Sequence, residues 1–199
     1  MASSRTNPLR HFALALLAST SALAAQAAPT RVATFTEALP KAKSADLPLA
    51  VLIHGSEWHL ASQRLNQKVW HDHGFARMIT APVVMTDINI RQNQSKEAAG
   101  QDKKTRQGWK DKGISTYPAI QVYGSDGRLL ATVQGRALIK SASADKLAAL
   151  VNSLVDAAHT RKELLSKYEA AAASGKDREA TRILSQLNEL PINQEPDIL

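Results

Sequence analysis

The sequence predicts an α/β fold, and three patterns predict it. Residues 47–53 and 82–88 form two almost continuously apolar runs, the mark of strands buried on both faces of a sheet. Helical spacing follows: Ala61, Leu65 and Val69 recur every fourth residue, and Leu147, Leu150, Val151, Leu154 and Val155 fall at i, i+3, i+4, i+7 and i+8. Lastly, two short strand-like runs flank Gly124-Ser125-Asp126-Gly127-Arg128, a hairpin signal in which Asp-Gly supplies the positive φ the turn needs.

The first element is one the folded protein is expected to lose. Arg5 and Arg10 precede an alanine- and leucine-rich run at residues 12–24, and Ala25-Gln26-Ala27 is an A-x-A cleavage site, so residues 1–27 read as an export signal. The run is shorter than the roughly 20 residues that span a bilayer, and small residues follow it. With no cysteine in the chain, a lipid anchor is excluded as well. The expected destination is the periplasm of a Gram-negative bacterium, or the cell exterior, with no membrane attachment after cleavage. Removing residues 1–27 takes two arginines and no acid, which lowers the formal charge from +7 to +5.

Along the remaining chain, a short strand or turn near Val32 leads into a weak helix around residues 36–43, and the buried strand 47–53 follows. After Gly55-Ser56 comes the helix marked by Ala61, Leu65 and Val69, its apolar pattern resuming at Phe75, Met78 and Ile79. Strand 82–88 is next, then a polar segment to Lys112 that reads as a helix or a helix plus loop. Residues 119–123 pair with 129–133 as the hairpin, and the amphipathic helix of Leu147 to Val155 ends the domain. The order is β-α-β-α-β-β-α. Beyond residue 158 the composition turns to alanine and charge. Leu164, Leu165 and Tyr168, a break at Ser174-Gly175, then Ile183, Leu184, Leu187 and Leu190 predict two short helices in a hairpin. The expected division is therefore 1–27 signal, 28–158 domain and 159–199 helical extension.

Charge excludes one class of function. The densest basic stretch, residues 96–112, interleaves Glu97, Asp102 and Asp111 with its cations, and only Trp109 could stack on a base. Nucleic-acid binding needs a contiguous positive stripe that displaces counterions from phosphates, so no nucleic-acid partner is expected. The absence of cysteine in an oxidising compartment is equally informative, because packing alone must then hold the domain.

The order of elements, with a buried strand feeding Ala50-Val-Leu-Ile-His-Gly-Ser-Glu-Trp58 and a later Gly113-Ile-Ser-Thr-Tyr-Pro-Ala119 before a hairpin and Gly135, resembles the thioredoxin-like superfamily, particularly its secreted bacterial members. The likeness runs from about Phe35 to Ala158. It implies a central mixed sheet flanked by helices, a cis Tyr117–Pro118 bond, and a Thr116-Tyr117 edge open to an extended peptide. The departures bear on function. At the two positions that resemble the family's Trp-Cys-x-x-Cys cysteines stand His59 and Ser62. Thiol–disulfide exchange needs one thiolate to attack and a second sulfur to resolve; imidazole and hydroxyl do neither. The acid many relatives bury six residues earlier is Ile53 here, and the basic residue often found after the second cysteine is Gln63, with Arg64 beside it.

Three uses of the vacated site follow. His59 and Ser62 share a helix face and could touch, the beginning of a Ser–His hydrolase, but Glu57 is the only acid near enough to orient the imidazole and it sits in an exposed loop. His54 and His59 are candidate ligands for copper or zinc, though His71 and His73 would lie about 18 Å from His59 along a continuous helix. The favoured expectation is a binding module without cofactor, which takes a protein or peptide partner in a groove between Trp58-His59 and Thr116-Tyr117-Pro118.

Overall fold

The computed structural model describes residues 29–91, 107–140 and 143–190. The expected export signal and residues 96–106 of the basic stretch lie outside them. Strand β1 (Thr30–Arg31) precedes helix α1 (Phe35–Ala45), whose first turn is capped by the Thr34 hydroxyl accepting from the Glu37 amide. Strand β2 (Leu49–His54) is buried at every position, as the apolar run of residues 49–53 requires, and His54 is buried at its end. Helix α2 (Leu60–Leu65) continues through a π-helical turn, Asn66–Trp70, and helix α3 (His73–Met78) follows. Strand β3 (Val84–Asn89), helix α4 (described over residues 107–111), the hairpin strands β4 (Ala119–Tyr123) and β5 (Leu129–Gln134), and helix α5 (Arg136–Lys140) come next. Helices α6 (Ala144–Ala173) and α7 (Asp177–Asn188) end the described chain.

The five strands lie in the order β1-β3-β2-β4-β5. β1, β2 and β3 are parallel, while β4 runs antiparallel to both β2 and β5, so the sheet is mixed. Alternation along the strands sends side chains to two cores. Ala50, Leu52, Met85, Ile120 and Val122 face a core shared with Leu65, Val69, Trp70, Phe75, Leu147 and Val151. Leu49, Val51, Ile53, Val84 and Tyr123 face a second one that includes Ala38, Ala42 and Trp109. Trp109, the one ring that could have stacked on a base, is buried there against the edge of Phe35, with the Lys112 ammonium over its face.

Two features depart from the expected organisation. The helix that begins near residue 61 is interrupted, with the π-helical turn and a separate α3 in place of one long helix. At the other end, α6 runs for 30 residues without a break at residue 158. The first arm of the C-terminal hairpin is thus the second half of α6 and not a helix of its own. The hairpin itself is present: α6 closes with Gly175 N–H on Ala172 O and Lys176 N–H on Ala171 O, paired bonds that satisfy the last carbonyls and turn the chain back. Ala171, Ala180, Ile183 and Leu187 then form a small core between α6 and α7.

Candidate functional site

The loop after β2 and the loop before β4 meet because β2 and β4 are neighbours, with Ile53 opposite Ala119. Trp58 projects from the first loop over Gly55, where a Cβ would lie 2.4 Å from the indole ring; only glycine leaves the space. The indole Nε1–H donates to the Ile90 carbonyl at 2.7 Å. Its ring meets Tyr117 edge to face, with centroids 5.6 Å apart, and His59 at 5.8 Å. Trp58, His59 and Tyr117 therefore come together as the expected groove requires, but Trp58 and Tyr117 touch each other and do not flank an open gap. The Tyr117–Pro118 peptide is cis; Thr116 is exposed and Pro118 buried.

His59 and Ser62 also meet, in roles the sequence did not suggest. His59 is the N-cap of α2: its Nδ1 accepts the Ser62 amide at 3.2 Å and the Ser62 hydroxyl at 3.0 Å. The imidazole, and not the Ser62 hydroxyl, satisfies a backbone donor of the first helical turn. The hydrolase arrangement fails on three counts. Ser62 is fully buried, so no substrate reaches its oxygen. The nitrogen it contacts already caps the helix. The candidate orienting acid, Glu57, is exposed and pairs with Arg91 at 3.6 Å.

The two candidate metal ligands part company. His54 is buried and donates from Nε2 to Asp87 Oδ2 at 3.0 Å, and His71 Nε2 meets the other oxygen of that carboxylate at 3.1 Å. His54 thus belongs with His71 and Asp87, not with His59. Among the described residues no group of three or more His, Cys, Asp and Glu side chains could hold a metal ion. Burial alone would push the Asp87 carboxyl up, but the bonds and charges of His54 and His71 outweigh it and hold the group below the ordinary carboxylate range. Arg31 lies in the same corner and donates to the Trp70 carbonyl.

Two further features were not read from the sequence. Gln134, on the edge strand β5, fastens the loop before Pro118: its Oε1 accepts the Ser115 and Thr116 amides at 2.8 and 3.1 Å, and its Nε2 donates to Gly113 O at 3.1 Å. On the other side of Pro118 opens a concavity of about 530 Å³, lined by Leu60, Ala61, Leu65, Val69, Leu138 and Ile139, with Arg64 and Lys68 at its edge. Leu60 is 60% exposed and Ile139 41%. Ile139 was invisible because α5 is a five-residue helix with too little length to show a period.

A mixed five-strand sheet between helices, with a strand-to-helix loop packed against a cis-proline loop, is a thioredoxin-like fold. In this chain it carries no cysteine, and so no group able to perform thiol–disulfide exchange. Similar solved structures include a DsbH oxidoreductase, at 18% identity over 73% of this chain and 96% of that one, with a TM-score of 0.38. Another is a disulphide isomerase from Xylella fastidiosa Temecula1, at 19% identity over 58% of this chain and 83% of that one, with a TM-score of 0.44. A thioredoxin from Thermus thermophilus is similar at 17% identity over 55% and 77%, with a TM-score of 0.36. No protein-family model and no curated protein matches the chain. Among the described residues no helix is long and apolar enough to cross a membrane.

Proposed function

We propose that this is an exported, redox-inactive thioredoxin-like protein that binds an extended segment of a partner protein, in the periplasm, at the surface around Pro118. One observation carries the reading. Of the five large apolar side chains exposed among the described residues, Leu60 and Ile139 line the concavity beside Pro118, and Trp58 stands two residues from Leu60 against Tyr117. Single exposed apolar residues are ordinary, whereas their gathering on one concave surface marks a site for another molecule. The floor of aliphatic side chains offers burial, and the neighbouring 113–116 loop, braced by Gln134, offers backbone groups to an extended chain. Export rests on Arg5, Arg10, the apolar run and Ala25-Gln26-Ala27.

The test is affinity capture from periplasmic extract by the mature protein and by a Leu60→Ser, Ile139→Ser variant. Both residues are exposed, so circular dichroism should show an unchanged fold. Partners held by the wild type should be lost from the variant. Capture of the same partners by both proteins rejects this surface as the interface.

A further inference from the structure

The concavity beside Pro118 has a charge as well as an apolar floor. Arg64 and Lys68 stand at its edge and are exposed, and among the described residues no acid lines it and neither cation is ion-paired. Arg64, in α2, and Lys68, in the π-helical turn that continues it, are four residues apart and separated along the axis by about 5–6 Å. An extended chain repeats its side chains on one face every two residues, about 6.6 Å. An extended segment laid edge-on in the groove would bring carboxylates at i and i+2 to the two cations, while its intervening apolar side chains, which point the opposite way, meet the exposed Ile139 on α5.

We propose that the groove selects an extended protein segment that alternates Asp or Glu with apolar residues, and that Arg64 and Lys68 are its specificity residues. This rests on the peptide-binding reading above. It names the chemistry of the partner, which that reading leaves open. Unpaired cations on a concave apolar surface reject lysine- and arginine-bearing segments by like-charge repulsion as much as they attract acids.

The test uses three short labelled peptides that alternate leucine with glutamate, with glutamine or with lysine, titrated against the mature protein by fluorescence anisotropy. The glutamate peptide should bind about tenfold tighter than the lysine peptide, the effect of two exposed ion pairs acting together, and salt should narrow the gap. An Arg64→Glu, Lys68→Glu variant should reverse the preference. Equal binding of all three peptides, lost in Leu60→Ser, Ile139→Ser, leaves the groove reading standing and overturns the charge selection, as does a preference that survives the reversal. Absence of binding by any of the three overturns both.

Discussion

At Gly55 a single missing carbon holds the site's main aromatic in place. Because a Cβ would fall 2.4 Å from the Trp58 ring, Gly55→Ala must drive the indole off the loop and break its bond to the Ile90 carbonyl. A red-shifted tryptophan emission and a loss of about 1–3 kcal/mol in urea unfolding are expected. Trp58→Phe, which keeps the ring contact with Tyr117 and removes the N–H, should cost about 1 kcal/mol. Asp87 governs a second residue-scale effect. A carboxyl that titrates in the folded state below its unfolded value contributes stability that is present above the unfolded pKa, about 3.9, and is lost as pH falls through the folded value. The stability difference between the wild type and Asp87→Asn should therefore be full at about pH 5–6 and shrink as the solution is acidified toward pH 2; a constant difference across that range contradicts the assignment. The site chemistry was only partly legible. His59 and Ser62 were visible as a pair three residues apart, but which atom caps which amide depends on rotamers that spacing does not encode. His54 and Asp87 are brought together by the parallel pairing of β2 with β3, a contact between residues 33 positions apart, and His71 reaches the same carboxylate from the end of the π-helical turn.

Strands and the last helix were readable because their burial is one-dimensional: an unbroken apolar run or a period of 3.6 survives in the sequence whatever packs against it. The loops and short helices were not. Gln134 reads as a solvent-facing polar residue on an edge strand, and nothing local marks it as the brace of residues 113–116. Its replacement by alanine should free the Ser115 and Thr116 amides, speeding their hydrogen exchange, while costing about 1–2 kcal/mol, since each exchanged bond is modest in net terms. Gln134→Glu keeps an acceptor for both amides but loses the donor to Gly113 O, so its exchange rates should fall between those of the wild type and the alanine variant. Unchanged protection in Gln134→Ala would assign the loop's order to Pro118 and its neighbours instead.

Across the whole molecule, the α/β architecture was legible, while the division at residue 158 followed a change of composition and not of structure. Alanine and charge begin where α6 leaves the sheet, because there only one face still packs, yet the helix continues for another four turns toward Ala173. That continuity has a thermodynamic consequence. The core of α6 and α7 is small, but α6 belongs to it and to the main core at once, and Leu190 packs against both. The hairpin should therefore unfold with the domain and not before it. All three tryptophans, Trp58, Trp70 and Trp109, lie outside the hairpin, so their fluorescence reports the domain while far-UV circular dichroism reports every helix. Ile183→Ala, which opens a cavity in the small core, should cost about 2–4 kcal/mol and lower both midpoints together in denaturant. A midpoint that falls by circular dichroism while the fluorescence transition stays where it was would separate α7 from the domain and make the extension an independent appendage.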